Sequence, residues 1–221
     1  MAEQQKFPSE VIDLPSEGKV YPKDSPLSNG KIEVKYMTAR EEDILTSQNL
    51  IKKGVVIDKL LNSLIVTDGV SVDDLILGDK NAMMVAARIL AYGPEYQVEV
   101  THPETGEQVA TAINLADCPF RKLPEDFDAN QPLEVELPIS KSKVTFKLLT
   151  GKEDKKIEAD LKASKKLGSQ VSPELSTRLK HTITSIDGDS SQVVINNFVN
   201  NLLARDSLFL RGEIKRLSPD I

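Results

Sequence analysis

The sequence predicts an α+β protein with two similar lobes, each a small antiparallel sheet or hairpin with a helical bundle, preceded by an extended, proline-rich N-terminal arm. Three observations lead to this prediction. Short segments that alternate apolar and polar residues stand beside longer segments with apolar residues at helical spacing. The first 30 residues contain four prolines. The order of strand, helix start and turn motifs occurs twice along the chain.

Composition narrows the class of protein. The chain has 221 residues and a formal charge of −6, so length alone allows one large domain or two small ones. An acidic chain with 5% aromatic residues is a poor candidate for binding nucleic acid, which requires clustered positive charge. No apolar run approaches the roughly 20 residues that span a bilayer, and the N-terminal residues do not resemble a secretory signal. A single cysteine, Cys118, forms no internal disulfide, which fits a reducing compartment.

Residues 1–30 are predicted to form the extended arm. Its four prolines exclude a helix, yet apolar residues are spaced between them. Such residues need a surface to lie against, so we expect the arm to pack on its own domain or on a partner. The alternative is a disordered leader. If the arm contacts a partner, Leu14 and Tyr21 are the expected contact residues.

The first lobe is expected over residues 31–120. Residues 31–36 alternate apolar and polar side chains and predict a strand. Thr38 followed by Glu41 forms a capping box, which predicts a helix over 39–51. The remaining predicted elements are a helix over 55–65, a short helix ending at 77, a helix over 80–92, and a hairpin with strands 96–100 and 108–115.

The second lobe is expected over residues 133–221, after a proline-rich linker at 121–132. It begins with a predicted hairpin, and a second capping box at Thr150 and Glu153 then starts a charged helix. Gly168 is the expected end of that helix. The predicted strands are 133–137 and 143–148, the predicted helices are 152–167, 175–183, 191–203 and 206–217, and a turn is predicted at 186–188.

An internal duplication is the most informative pattern in the sequence. Three aligned segments, each series followed by a basic helix end and a proline, agree in the same order, although echoes of this kind also arise by chance in α+β proteins. Duplicated lobes often present paired binding surfaces, which favours assembly over catalysis. The segments that align are 32–45 with 144–157, 63–69 with 182–188, and 75–84 with 201–210; the aligned residues include Lys35 with Lys147, Thr38 with Thr150 and Glu41 with Glu153, and Asp79 aligns with Asp206 after a shift of one residue.

Residues that could carry catalysis are few. His102 and His181 are far apart in sequence, and with Cys118 they give no zinc-ligand spacing. The segment from Asp187 begins like a calcium-binding loop, but Gln192 stands where that loop needs glycine, so a turn is favoured. We therefore predict no catalytic residue, no cofactor and no metal site. A small enzyme with an unrecognised site is the remaining alternative.

Four segments, taken in order, resemble the baseplate hub proteins of T-even-like contractile-tailed bacteriophages, including the class of hub assembly proteins. They are LPSEGKVYP (14–22), KYMTAREEDIL (35–45), FKLLTGKED (146–154) and LLARDSLFLRGEIKRLSPDI (202–221). The resemblance implies a late structural protein of the virion tail baseplate, assembled in the host cytoplasm. A non-virion assembly chaperone is the alternative.

Such a protein acts by binding other proteins through apolar and extended segments. The expected partners are other baseplate hub or tail proteins, or further copies of this chain, with no nucleic acid and no membrane span. Candidate contacts are the arm, the edge of the first hairpin and the C-terminal helix, although packing within the chain explains each of them equally well. The candidate residues are Leu14, Tyr21, Tyr96, Val98, Leu208, Phe209 and Ile214.

Overall fold

Eight α-helices and seven short strands form the regular structure of the residues that this computed structural model describes, 7–166 and 172–221. All strand pairs are antiparallel, so the predicted α+β class is confirmed. In chain order the elements are β1 (Ser9–Asp13), β2 (Lys31–Lys35), α1 (Ala39–Thr46), α2 (Gln48–Lys53), α3 (Val56–Leu64), α4 (Leu77–Tyr92), β3 (Glu95–Thr101), β4 (Gln108–Asn114), β5 (Leu133–Glu136), β6 (Lys143–Phe146), α5 (Gly151–Lys166), α6 (Glu174–Thr182), β7 (Ile183–Ile186), α7 (Gln192–Asn200) and α8 (Ala204–Arg216).

The chain divides into two units, and each of them is discontinuous in sequence. Compactness alone does not make a unit an independently folding domain. The division into arm, lobe, linker and lobe therefore stays a prediction. The first unit comprises Met1–Val72, Asp79–Arg121 and Asp220–Ile221, and the second comprises Asp73–Gly78 and Lys122–Pro219.

Much of the expected arm folds as part of the first unit. β1 pairs antiparallel with β2, with Val11 opposite Glu33. Leu14 and Leu27 are 2% and 1% exposed, so they belong to the core of this unit. The prolines also do not exclude helical structure altogether, because a single 3-10 turn begins at Pro26, where a missing N–H is tolerated.

Two glycines allow two backbone segments of the loop between β1 and β2 to lie in close contact. Gly18 and Gly30 both have positive φ angles, of 76° and 71°. A Cβ atom added at Gly18 would lie 2.4 Å from the carbonyl oxygen of Ser28, and one added at Gly30 would lie 2.7 Å from the carbonyl carbon of Glu17. Only glycine fits both the backbone angle and the space.

Two helix predictions differ from the structure, and a third cannot be compared with it. The helix expected over 39–51 is broken at Ser47, which ends α1 and begins α2 with extended angles, as serine favours helix ends. The short helix expected before residue 77 is absent from this described part of the chain, because Ile76 forms a bridge with Thr150 instead. The predicted helix end at Leu167 and Gly168 lies outside the described residues.

The second unit is built on a three-stranded sheet in the order β5-β6-β7. Strand β7 was not predicted: the sequence favoured a helix up to 183 and then a turn. Its four residues carry no periodicity that separates a strand from a helix, and its pairing with β6 is a tertiary contact. The core of the unit contains Leu137, Val144, Phe146, Leu179, Ile183, Ile186, Ile195, Val199 and Leu210.

A buried glutamate joins β2 to α1 in the first unit. Glu41 accepts hydrogen bonds from the Thr38 backbone N–H (3.0 Å) and hydroxyl (2.5 Å), which forms the predicted capping box. Its other oxygen accepts one from Lys35 Nζ at 2.9 Å. Burial raises the pKa of Glu41, but these hydrogen bonds outweigh it and hold the pKa at about 2.

The second unit repeats this arrangement where β6 leads into α5. Glu153 accepts hydrogen bonds from the Thr150 backbone N–H (3.1 Å) and hydroxyl, and from Lys147 Nζ (3.0 Å). Burial raises the pKa of Glu153, but the hydrogen bonds again outweigh it and hold the pKa at about 2. The same contacts at the aligned positions support the duplication, which stays a prediction.

Each unit also contains a buried aspartate near a helix start. Asp79 accepts hydrogen bonds from the Ser16 backbone N–H (3.0 Å) and hydroxyl (2.6 Å) and from Tyr21 Oη (2.6 Å). Burial raises the pKa of Asp79 and outweighs these bonds. Asp206 accepts from the backbone N–H groups of Ile139 (2.8 Å) and Ser140 (2.9 Å). Burial raises the pKa of Asp206 too, but these fixed donors outweigh it and lower the pKa.

Glu41 and Glu153 are expected to make the free energy of unfolding depend on pH. Their pKa values in the folded protein lie below the usual 4.5, so both carboxylates stabilise the fold at neutral pH and lose that effect as pH falls from about 4.5 to about 2. We expect Glu41→Gln to lower the free energy of unfolding at pH 7 by about 2 kcal/mol and to weaken its acid dependence. Urea unfolding across this pH range measures both effects. Asp43→Asn, at an exposed carboxylate of the same helix, is the control; an equal loss in both variants would contradict this account.

The two buried aspartates are expected to tolerate asparagine differently. In Asp79→Asn, the new amide faces hydroxyl groups, which can rotate to accept its hydrogen bond. In Asp206→Asn, the new amide faces a backbone N–H, which can only donate. Thermal unfolding should therefore give a lower Tm for Asp206→Asn than for Asp79→Asn. The reverse order would contradict the assigned donors.

Candidate partner-binding surfaces

The structure separates the seven candidate contact residues by exposure. Leu14 is buried in the first unit and is dropped from the proposed contacts, because a partner cannot reach its side chain. Tyr21 is half-buried and donates its hydroxyl hydrogen bond to Asp79. Ile214 is half-buried and packs against the core of the second unit. Exposure is largest at Tyr96, Leu208 and Phe209, and Val98 is partly exposed.

The hairpin of β3 and β4 presents one apolar face to solvent. The two strands pair over seven residues each, and every residue of both strands except Val98 is exposed. Because side chains alternate between the faces of a strand, one face collects the apolar residues and the other collects polar and small ones. The apolar face comprises the facing pairs Tyr96–Ile113, Val98–Thr111 and Val100–Val109.

An arginine fixes the base of this hairpin to α4. The Arg88 guanidinium lies 4.9 Å from the ring centre of Tyr92 and 5.6 Å from that of Tyr96. It also donates a hydrogen bond to the Gly93 carbonyl at 3.2 Å. Cation–π contacts of this kind contribute about 0.5–1 kcal/mol each at exposed sites. The contacts at Arg88 therefore orient the first residues of the hairpin relative to α4.

The far end of the hairpin is a hydrogen-bonded turn. The His102 N–H donates to the Glu107 carbonyl at 2.8 Å, and the Gly106 N–H donates to the His102 carbonyl at 2.9 Å. His102 Nδ1 accepts from the Thr105 N–H at 3.3 Å. The expectation of a solvated turn histidine fits this position. Its ring nitrogen organises the turn.

The C-terminal helix α8 has a buried face and an exposed face. Asp206, Ser207 and Leu210 are buried, whereas Leu208 and Phe209 are 65% and 40% exposed. The two exposed residues lie beside buried neighbours in sequence because a helix turns about 100° per residue. They form an exposed apolar patch on the second unit, which the predicted contact at this helix requires.

A groove of ≈ 280 Å³ lined by apolar residues and serines lies in the same unit. Ser207 lies in its lining, and its buried hydroxyl has no hydrogen-bond partner in the described structure. Leu175, 47% exposed, lies at its edge. The sequence reasoning missed this groove, because its walls come from α6, α7 and α8, and only the packing of these helices brings them together.

The predicted turn histidine and the predicted helix histidine belong to different units. His102 lies on the hairpin turn of the first unit. His181 lies in α6 of the second unit, where its Nε2 is 2.8 Å from Asp160 Oδ2 in a polar pocket of ≈ 420 Å³. Within the described residues the pair has no serine or cysteine at hydrogen-bond distance. A nucleophilic triad therefore has no geometric support here.

Within residues 7–166 and 172–221, no cluster of three or more histidine, cysteine, aspartate or glutamate side chains has the geometry to hold a metal ion. None of the helices in the same residues combines the length and the apolar character that crossing a membrane requires. Cys118 is half-buried and has no disulfide partner.

The hairpin residues Val109 and Ile113 were not among the predicted contacts, which placed the hairpin contact on the edge 96–100. The signal that could have found them is the alternation of 108–115, which places Val109, Thr111 and Ile113 on one face. That pattern normally indicates a face packed against a core. Only the structure shows that, among the described residues, this face is left uncovered.

The faces of α8 can be tested by truncating neighbouring leucines. We expect Leu210→Ala to lower the free energy of unfolding by about 3 kcal/mol, because it leaves a cavity in the core. Leu208→Ala, two residues away on the exposed face, should change it by less than about 0.5 kcal/mol. Urea unfolding of both variants measures this difference. Similar losses in the two would contradict the assigned orientation of the helix.

The comparisons with known proteins identify the family. No curated protein and no solved structure matches the chain. The family model described as "T4 bacteriophage base plate protein" matches residues 9–202, a range that includes the β3–β4 hairpin and ends before α8. A match over that much of the chain shows membership. This chain therefore belongs to the family of T4 bacteriophage base plate proteins, as the resemblance in its sequence implied.

Proposed function

We propose that this protein is a structural component of the baseplate hub of a contractile-tailed phage. In this role it remains in the mature virion and joins other hub or tail proteins by binding alone, after assembly in the host cytoplasm. Membership of the baseplate family supports the setting. The uncovered apolar face of the β3–β4 hairpin is the single observation that supports the mode of action.

Two surfaces are proposed to bind neighbours. The first is the hairpin face around Tyr96 and Val98, and the second is the patch of Leu208 and Phe209 on α8. Both expose large apolar side chains, which a soluble monomer rarely clusters without a binding role. Tyr96 also combines a large apolar ring with a hydroxyl, a combination enriched at protein interfaces.

The hub role predicts that the chain is present in purified mature particles. Quantitative mass spectrometry of particles should find it at a fixed ratio to other baseplate proteins. Presence in assembly intermediates together with absence from mature particles would contradict a hub component, and would instead support an assembly chaperone that leaves before completion.

Binding without catalysis predicts which substitutions are harmless. We expect the triple variant His102→Ala, His181→Ala, Cys118→Ala to remain folded and to support normal particle yield. We expect the double variant Leu208→Ser, Phe209→Ser to remain folded and to lower particle yield, because it removes an apolar contact surface. Complementation of a phage that lacks the gene measures both. Loss of particles in a folded triple variant would instead support an enzymatic role.

A further inference from the structure

We propose that the apolar face of the β3–β4 hairpin binds an amphipathic helix of another tail protein, and that the apolar stripe of this helix is flanked by lysine or arginine. The proposal rests on the proposed function and names the partner of its first surface. It stands on three features of the hairpin: an uncovered face, the width of a two-stranded ribbon, and an uncompensated negative charge.

The exposed apolar face of the hairpin needs another element to cover it. A two-stranded hairpin is at best marginally stable alone in water, and stable small sheets pack one face against another element. Tyr96, Val100, Val109 and Ile113 are 45–50% exposed, and no other described segment covers them. In the assembled baseplate this face therefore has a binding partner.

The shape of the face favours a helix. Two strands spaced about 4.8 Å apart present a face about 10 Å wide, which matches the diameter of an α-helix. Seven residues extend about 24 Å, the length of a helix of about 16 residues. A strand added to the edge of β3 or β4 would widen the sheet but would not cover its apolar face. The same apolar side chains would therefore stay exposed to water.

The negative charge of the hairpin segment favours basic residues on either side of the apolar stripe of the partner helix. Between Arg88 and Arg121 the sequence contains five carboxylates and neither lysine nor arginine. Glu95 and Glu99 lie on the opposite face of the narrow ribbon, and Glu104 and Glu107 lie at its turn. Basic residues beside the apolar stripe of a partner helix would complement this field and speed association.

The same charge argues against a second copy of this chain as the occupant. Two hairpins stacked face to face would bring two identical sets of carboxylates together within about a Debye length, without a cation from either hairpin. A second copy would therefore meet repulsion at this face where a partner with basic residues meets attraction.

Photo-crosslinking in infected cells tests the proposal. The full chain carries p-benzoylphenylalanine in place of Val109, on the apolar face, or in place of Ala110, the next residue, on the opposite face. We expect the yield at Val109 to exceed that at Ala110 by about tenfold, because alternation points the two side chains in opposite directions. Mass spectrometry of the product should map the crosslink to a segment with apolar residues at helical spacing and flanking basic residues.

A second arm of the same experiment tests the charge. The double variant Glu99→Gln, Glu107→Gln should lower the crosslink yield at Val109 several-fold, because it removes two of the carboxylates that attract the basic flanks. The control pair Gln97→Asn, Gln108→Asn changes polar residues of the hairpin without changing its charge, and should leave the yield unchanged.

Two kinds of result would overturn the proposal. One is a crosslink from Val109 to another copy of this chain, or to a segment with strand alternation or acidic flanks. The other is a crosslink yield at Val109 no higher than that at Ala110, in a chain that circular dichroism shows to be folded. The hub role is judged separately by presence in mature particles. A crosslink to the expected helix in intermediates, with the chain absent from particles, would contradict the hub role and support this inference.

Discussion

The hydrogen-bonded glutamate at each strand-to-helix junction is the contact on which the two units depend. In each unit a threonine and a lysine donate to one carboxylate, the buried Glu41 in the first and the half-buried Glu153 in the second. The carboxylate accepts the backbone N–H of the capping threonine and pairs with the lysine at the end of the preceding strand. The angle between strand and helix is thereby fixed, and the apolar sides of both can meet over a common core.

With the cores closed in this way, some apolar residues remain outside them. Two contiguous sets of exposed apolar side chains carry the proposed function: the hairpin face with Tyr96 and Val100, and the α8 patch with Leu208 and Phe209. Each is attached to structured parts of its own unit, the hairpin through the Arg88 contacts and the patch through its buried neighbours on α8. The helix presents its patch in one orientation, which lowers the entropy that binding must overcome at that surface.

Local chemistry made part of this structure predictable. The capping boxes at Thr38 and Thr150 and the hairpin after α4 depend on residues close in sequence, so they could be predicted. The burial of Leu14 could not, because it depends on β1 pairing with β2 and on Asp79 holding Ser16 from 63 residues away. Strand β7 was missed for the same reason. The uncovered hairpin face shows the opposite difference. Its apolar–polar alternation is typical of a strand packed on a core, yet no described residue covers the apolar side.

Amide hydrogen exchange tests the central claim, that the exposed hairpin is an assembly surface, most directly. Exchange over residues 95–114 is compared between the free chain and purified baseplates, with β6 of the second unit as an internal reference. The account predicts fast exchange at the hairpin in the free chain, strong protection there in the baseplate, and little change in β6. Equally fast exchange of the hairpin in both states would contradict it.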